Sequence, residues 1–344
     1  MITQEEHSLV TLHYTDKMKK YLLYISCLFF VNIFSQELSI PTYTQYLGEN
    51  NAVISPAYLG IGDHIKIRLN GLTQWVGIKD APDNQSLSVN ARLGQKSGIG
   101  GFFYNDKNGN TSQKGAKISF AHHLILDYNN DKYLSFGMSL VTNRFEIDIN
   151  RFDKNYPDFD VKNNRELNNI NVDVGFLYRQ KNVDIVANVF NIVNKNTDIF
   201  TKFEPGRLRS YSLYGASVLK RNSSNFEYEP SVNIQYFEGD NRTVSDVNFK
   251  IRKLDFESYY WAGLSYRFIN DQALKPLNIG PMAGFKKNNF YFAYSYQVTT
   301  NKFIGYNSGT HMITIGYDIF QNISNCPCAQ KFTKQENKYK PIIN

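Results

Sequence analysis

Apolar and polar residues alternate one by one in many stretches of the chain between residues 64 and 320. The stretches LSFGMSL at 134–140 and ITIGYDI at 313–319 show the pattern in its simplest form. Successive side chains of a β-strand point to opposite faces, so each stretch predicts a strand with one apolar and one polar face. Soluble sandwiches and membrane barrels both show this period, so alternation alone does not decide between them.

The connections between the predicted strands separate the two classes of protein. We predict about 14 strands, near residues 64–72, 84–93, 97–105, 113–125, 132–145, 169–180, 183–191, 209–220, 226–236, 242–253, 259–269, 277–286, 289–297 and 310–320. Every second connection is short, and most of the others are longer, including 146–168, 192–208, 269–276 and 298–309. Bacterial outer-membrane barrels alternate short periplasmic turns with longer extracellular loops, and a sandwich has no reason to do so.

These features predict an all-β fold, a transmembrane antiparallel up-and-down β-barrel of about 14 strands spanning residues 64–320. Its apolar face would contact acyl chains and its polar face would line the lumen. Arginine should therefore block assembly at Ile315, which is predicted to face lipid, far more than at Thr314, which is predicted to face a lumen that already holds charge.

The start of the chain has the pattern of a secretory signal peptide. Lys19 and Lys20 precede an apolar run at 21–34, and Ser35 follows as a small residue before a polar start. The run is too short to span a bilayer, which needs about 20 apolar residues. We expect cleavage after Ser35, with residues 1–35 removed and initiation possible at Met18. A polar tail, 321–344, follows the barrel and would lie in the periplasm.

Composition changes this picture little. The aromatic content is 15%, with 24 Tyr and 25 Phe against 2 Trp, which is typical of barrels with aromatic girdles. Mean hydropathy is -0.42, and no long apolar stretch follows the signal peptide. The net charge of +7 is scattered along the chain, so it indicates solubility and lumen lining and no nucleic-acid partner. Only Cys326 and Cys328 follow residue 35, so no disulfide framework is expected.

Residue types that could carry chemistry occur in arrangements that do not favour catalysis. His122 and His123 are neighbours on a strand, so their rings point to opposite faces and cannot chelate one metal ion. His311 lies near Ser308, but no third group is placed to orient it. Cys326 and Cys328 are either exposed thiols or thiols that pair with a partner's cysteine. We therefore expect no enzyme activity, no cofactor and no metal site.

Two segments carry apolar residues where a solvated spacer would not. In the first predicted extracellular loop, Trp75 and Ile78 either fold into the barrel mouth or meet a protein. The loop 146–168 places aromatic residues between charged ones, which suits either a protein contact or a cap over the mouth. The candidate partner contacts are therefore Trp75, Ile78, Phe152, Tyr156 and Phe159.

The segment before the first strand is also too apolar for a free linker. It contains Tyr43, Tyr46, Val53, Ile54, Tyr58 and Leu59. We expect residues 36–63 to form an N-terminal segment that enters the lumen as a plug. The run Gly98-Ile99-Gly100-Gly101 has no following helix or Lys-Ser/Thr, so we interpret it as strand glycine facing a crowded lumen.

Three groups of residues resemble the PorP/SprF family of the type IX secretion and gliding motility system in Bacteroidetes. The first is Gln45-Tyr46 with Asn51, Pro56-Ala57 and Gly60. The second runs from Asn70 through Gln74-Trp75, Gly77-Ile78, Ala81-Pro82, Ser86-Leu87-Ser88, Gly98 to Gly101, Tyr104-Asn105-Asp106, Gly109 and Thr111-Ser112-Gln113 to His122-His123. The third is Tyr294-Ser295-Tyr296 with Ser308-Gly309-Thr310-His311 and Ile313. Ser55 stands where the family usually has Asn before Pro56.

The resemblance implies an outer-membrane protein that supports secretion or surface attachment of a particular secreted protein, often a large adhesin. Its partners would be that cargo, other type IX secretion components and outer-membrane lipid. The alternative function is a passive or substrate-specific channel of the fatty-acid-transporter type. An open lumen lined by Lys66, Arg68, Arg92 and Lys117 would favour transport, whereas a lumen filled by residues 37–62 would favour anchoring.

Overall fold

The computed structural model describes residues 50–62, 64–94, 96–127, 131–148, 165–193, 208–221, 224–239, 241–255, 258–270, 275–300 and 305–320. A short helix α1, Asn51–Ile54, and a 3-10 turn, Pro56–Tyr58, precede the strands. The strands are β1 (His64–Thr73), β2 (Asp83–Leu93), β3 (Ser97–Asn108), β4 (Thr111–Asp127), β5 (Lys132–Ile147), β6 (Arg165–Gln180), β7 (Val183–Phe190), β8 (Ser210–Ser217), β9 (Leu219–Lys220), β10 (Phe226–Phe237), β11 (Arg242–Asp255), β12 (Ser258–Ile269), β13 (Lys275–Lys287), β14 (Phe290–Thr299) and β15 (Thr310–Phe320).

The strands form one closed antiparallel sheet. Sequential strands pair with one another, and β1 pairs with β15 from His64↔Phe320 to Thr73↔His311, which closes the circle. The segments β8 and β9 both pair with β10 and together make one barrel strand. The fold is therefore a 14-stranded antiparallel β-barrel, as the sequence predicts. We call the end at which β1 begins and β15 ends the turn end, and the opposite end the loop end.

The alternation of apolar and polar residues has the predicted orientation. Leu69, Met138 and Ile315 are 53%, 58% and 44% exposed, whereas the neighbouring Arg68, Ser139 and Thr314 are at most 3% exposed. An apolar outer surface around a polar interior is the arrangement that a lipid bilayer requires. Among the described residues, no helix has the length and apolar character needed to cross a membrane.

Some predicted boundaries are wrong at the loop end. The connection between β3 and β4 is a tight turn at Gly109–Asn110, since both strands extend further than predicted. At this end the outward-facing residues, such as Asn105 and Lys107, are polar. The hydrogen-bonded pairing of β3 and β4 therefore continues beyond the point where apolar and polar residues stop alternating. Towards the turn end, the strand predicted at 209–220 is interrupted at Val218.

The barrel wall reaches different heights at the loop end. β5 and β6 are paired along their full length, from Lys132↔Gln180 to Ile147↔Arg165. β7 pairs only with the part of β6 from Val174 to Gln180. The upper part of β6 therefore has β5 on one side and no strand on the other side within the described chain.

Candidate functional site

Residues 50–62 lie inside the barrel against the inner wall of β2 to β7. Ile54, Ala57, Tyr58 and Leu59 are each at most 3% exposed. α1 and the 3-10 turn hold the segment compact, and the Ser55 hydroxyl accepts the Ala57 N–H at the start of the turn. A tightly folded segment of this kind can approach a sheet closely only where the sheet carries small residues.

Glycines supply that close approach. A Cβ at Gly98 would overlap the backbone of Leu59 and Gly60, and a Cβ at Gly137 would overlap the backbone of Pro56 and Ala57. A Cβ at Gly175 would overlap the hydroxyl of Ser55. Three strands, β3, β5 and β6, thus leave a shallow groove that fits the segment. The expectation that Gly98 faces a crowded lumen is confirmed.

Polar wall residues bind the backbone of the segment. His123 Nε2 lies 2.8 Å from the Leu59 carbonyl oxygen, and Asn90 Oδ1 accepts the Gly60 N–H at 2.8 Å. Asn188 donates its amide N–H to the Ile54 carbonyl at 3.2 Å. Buried backbone groups need such partners, because an unpaired one costs about 1–3 kcal/mol. The segment is therefore held by shape and by hydrogen bonds together.

The segment also reaches an ion pair of the wall. Tyr58 donates its hydroxyl hydrogen to Asp184 at 3.2 Å, and Arg179 binds the same carboxylate through Nε and Nη2, both at 2.6 Å. The Arg179 guanidinium also lies 6.0 Å from the centre of the Tyr58 ring. Tyr58 thus completes the polar surroundings of a partly buried carboxylate.

The opposite arc of the interior is filled by side chains of the wall itself. A buried apolar cluster near the turn end comes from β11 to β14 and consists of Leu254, Tyr259, Trp261, Met282, Tyr291 and Ala293. Gly284 leaves space for the Trp261 indole, and Gly316 leaves space for the Arg68 side chain. The large residues on this arc occupy the volume that the segment occupies on the other arc.

Ion pairs neutralise the charged groups that point inward. Arg68 and Lys286 both bind Asp318, the latter at 2.8 Å, and Arg267 binds Asp246 at 2.6 Å. On the segment's arc, Lys117 binds Asp173 at 2.8 Å. A buried charge is tolerated only when it is paired, so this network suits a packed interior.

Two of the four residues that were proposed to line an open lumen are deeply buried. Arg68 and Arg92 both face inward as predicted, and they are only 2% and 3% exposed. Lys117 also faces inward, but it is paired with Asp173. The sequence identified the inward face correctly, but Arg68 and Lys117 are engaged by carboxylates of the wall and do not line an open lumen as free charges.

The histidines have structural hydrogen bonds. His123 faces inward and, besides the Leu59 contact, lies 2.7 Å from the Ser135 hydroxyl. His122 faces outward, 3.0 Å from the Ser97 hydroxyl, so the prediction that the two rings point to opposite faces is confirmed. His311 lies 2.7 Å from the Tyr294 hydroxyl.

Trp75 and Ile78 lie in the connection between β1 and β2, and both are half-buried. Trp75 has a left-handed backbone, with φ of 48°, and its carbonyl accepts the Ile78 N–H. Between them, Val76 exchanges two backbone hydrogen bonds with Ser308 and Gly309, at 2.8 and 3.1 Å. This loop is thus fixed to the loop before β15, while its role as a partner contact stays a prediction. Phe152, Tyr156 and Phe159 lie outside the described residues.

A comparison with known protein families identifies the family of this barrel. A model described as "Type IX secretion system membrane protein PorP/SprF" matches residues 35–317. The chain belongs to the PorP/SprF family. It is an outer-membrane β-barrel of the type IX secretion system, as the three groups of residues in the sequence indicated. No curated protein matches the chain.

Solved structures of outer-membrane barrels resemble the chain in fold. The CymD monoaromatic hydrocarbon channel is 11% identical over 84% of this chain and 96% of its own, with a TM-score of 0.50. A TodX deltaS2S3 mutant monoaromatic hydrocarbon channel is 10% identical over 80% of this chain and 95% of its own, with a TM-score of 0.49. BamA from Haemophilus ducreyi is 9% identical over 74% of this chain and 70% of its own, with a TM-score of 0.38. At such identities the likeness concerns the fold alone.

Proposed function

We propose that this PorP/SprF barrel supports the secretion or cell-surface attachment of one specific secreted protein, such as a large adhesin, without catalysing a reaction. Its interior would be closed by residues 36–63, and its loops would contact the cargo and other type IX secretion components. The observation that carries the proposal is the docking of residues 50–62 on Gly98, Gly137 and Gly175 inside the barrel. We infer that this segment closes the path that a solute would take.

The charges of the interior support the same function. A channel for polar solutes needs inward groups that are hydrated and available, whereas Arg68, Lys117 and Arg267 are each engaged by a carboxylate of the wall. Breaking such pairs to admit a solute would leave buried charges without partners, which costs about 3–5 kcal/mol. A non-conducting barrel that presents its loop end to other proteins fits these contacts better than a solute channel does.

Gene deletion followed by proteomics of the cell surface and medium tests this function. We expect one large secreted protein to be lost from the surface, with uptake of small solutes unchanged, and expression of the wild-type barrel should restore it. Unchanged secreted proteins together with reduced uptake of a small solute would overturn the proposal and favour the channel.

Substitutions in the loop between β5 and β6 test the candidate contacts. Replacing Phe152, Tyr156 and Phe159 together by serine should impair handling of the cargo, because aromatic residues dominate protein interfaces. The matched control replaces Asp158, Asn163 and Asn164 of the same loop by serine. Both variants should reach the membrane as folded, heat-modifiable barrels. Equal surface cargo in the two variants would remove the aromatic residues from the contact.

A further inference from the structure

The outer surface at the turn end differs between the two sides of the barrel. At the turn end of β2, β4 and β7 the large exposed side chains are aliphatic, namely Leu93, Leu126 and Val183. At the turn end of β10, β12 and β14 they are aromatic and 41% to 50% exposed, namely Phe226, Tyr260 and Phe290. Aromatic residues of membrane barrels mark the level of the lipid headgroups. One side of the barrel therefore meets the headgroups with rings and the other side with aliphatic side chains.

The aromatic rings on β12 to β14 contact one another. The Phe285 ring is at the centre, and its centroid lies 6.4 Å from that of Tyr260, 6.1 Å from that of Phe290 and 5.9 Å from that of Phe292. These separations are in the range in which aromatic pairs attract one another. The four rings thus form one continuous surface across three neighbouring strands.

A notch lies on the membrane side of these rings. Ala262 and Ala283 are direct partners on β12 and β13, and both are exposed. The pair of Tyr260 and Phe285 lies on their turn-end side, and Leu264, which is 62% exposed, lies on their other side. Two methyl groups between larger side chains leave a shallow depression in the apolar surface. Its width and character suit a single acyl chain.

Two outward lysines lie on the headgroup side of the rings. Lys253 pairs with Tyr260 and Lys287 pairs with Ser258, so the two lysines flank β12 on β11 and β13. Both are exposed, and neither has an ion pair within the described chain, whereas the inward neighbour Lys286 binds Asp318 at 2.8 Å. Among the described residues at this end of β11 to β13, Asp255 is the one outward acidic residue. The surface therefore has an excess of positive charge.

We propose that the outer surface of β11 to β13 at the turn end is a binding site for an anionic phospholipid of the periplasmic leaflet. Short connections of bacterial barrels face the periplasm, so the turn end meets the phospholipid headgroups of that leaflet. Lys253 and Lys287 bind the phosphate, the Tyr260 ring lies at the boundary between headgroup and acyl chain, and one acyl chain lies over Ala262 and Ala283. This inference is independent of the cargo and of the secretion function.

The order of these features along the strands favours a lipid over a protein. From the turn end towards the middle of the barrel the surface presents cations, then aromatic rings, then an apolar notch. A phospholipid presents a phosphate, a glycerol ester region and an acyl chain in the same order and at the same depths. A zwitterionic lipid carries its own ammonium group, so it gains less from two lysines than a lipid with net negative charge does.

Competition between lipids tests the charged part of the site. Native mass spectrometry of the full-length barrel in detergent measures the retention of phosphatidylglycerol and phosphatidylcholine. The wild-type barrel should retain phosphatidylglycerol more tightly. The double variant Lys253→Gln/Lys287→Gln should weaken phosphatidylglycerol by about 30-fold, the factor that ~1 kcal/mol for each lysine gives, and leave phosphatidylcholine unchanged. The matched control is Lys96→Gln/Lys181→Gln, which removes two exposed lysines from turn-end connections on the aliphatic side.

Filling the notch tests the apolar part separately. Ala262→Phe points outward, so it should leave the barrel folded and heat-modifiable while it lowers the retention of phosphatidylglycerol. Ala187→Phe, at an exposed position on β7, is the control and should have no such effect. Equal retention of the two lipids by the wild-type barrel would show ordinary surrounding lipid only and refute the site. Equal losses in the two lysine double variants, or in the two Phe variants, would refute it as well.

Crosslinking in cells decides between a lipid and a protein at this surface. A photo-crosslinking amino acid at position 262 should form adducts with phospholipid in the outer membrane. An adduct with a second barrel or with another protein would overturn the lipid assignment.

Discussion

On the arc from β2 to β7 the inner wall meets a backbone segment, whereas on the arc from β11 to β15 it meets the wall's own large side chains. The first arc carries Gly98, Gly137 and Gly175 where the second carries residues such as Trp261 and Tyr291. Both arcs bury charge in ion pairs. On one side of the interior, small wall residues make room for a backbone segment. On the other side, large wall residues fill the space themselves.

The comparison shows that a filled barrel can be specified in two ways. Filling by side chains needs large residues at fixed positions on consecutive strands, as in the cluster from β11 to β14. Filling by a segment needs glycines on several strands, which leave space for its backbone. It also needs polar wall groups that hydrogen-bond to the segment's carbonyls, as His123 and Asn188 do. The first arc therefore depends on groups that are distant in sequence.

The largest effect should come from the ion pairs of the side-chain arc. Asp318→Ala removes the carboxylate that binds Arg68 and Lys286 and leaves the Arg68 charge buried without it, which should destabilise the barrel by about 3–5 kcal/mol. The measurement is the urea midpoint of barrel unfolding in liposomes. Asp83→Ala is the control, because Asp83 bonds Thr73 at an exposed position on the loop-end surface. Similar midpoints for both variants would show that the network is not buried as described.

The next largest loss of stability should come from adding a side chain on the arc that contacts the segment. Gly98→Val places a side chain on the backbone of Leu59 and should cost about 1–3 kcal/mol, the range of overpacked cores. Gly101→Val on the same strand is the control, since its Cβ has only a Phe103 ring atom, at 3.9 Å. Unfolding midpoints and uptake of a small antibiotic should both change for Gly98→Val alone. Equal behaviour of the pair would mean that the segment does not lie on β3.

A smaller effect is expected from the wall groups that bind the segment. His123→Ala leaves the Leu59 carbonyl without its wall partner, which should cost about 1–2 kcal/mol. His122→Ala removes only an outward contact with Ser97 and should cost less. The same unfolding assay compares the two neighbours. A larger loss for His122→Ala would contradict the assignment of their faces.

The smallest effect should come from the Tyr58 hydroxyl. Tyr58→Phe keeps the ring beside Arg179 and removes one hydrogen bond to Asp184, so about 0.5–1 kcal/mol should be lost. Tyr178→Phe, which loses a bond to Gln180 at 2.9 Å, is the control. If the two variants differ by nothing measurable, the Tyr58 hydroxyl adds no stability through Asp184.

The barrel could be predicted from the sequence because alternation and loop length are local patterns. The packing of the interior could be predicted only in part. Thr314 faces inward as predicted, but it is fully buried and hydrogen-bonded to Asn70, so the expected tolerance of arginine there has no structural support. The glycine groove is also difficult to predict, since an absent side chain leaves no hydrophobic pattern and Gly137 meets a segment about 80 residues earlier. The plug was expected from composition, but its contacts needed the register of six strands.

Closure of the seam between β1 and β15 joins parts of the chain about 250 residues apart, as in the Arg68–Asp318 pair. Contacts of such long range form late, because the intervening chain must first be ordered. The segment at 50–62 is separated from β1 by a single position, so it is tethered to one of the two strands of the seam. The strand that closes the barrel is therefore also the strand that holds the barrel's contents.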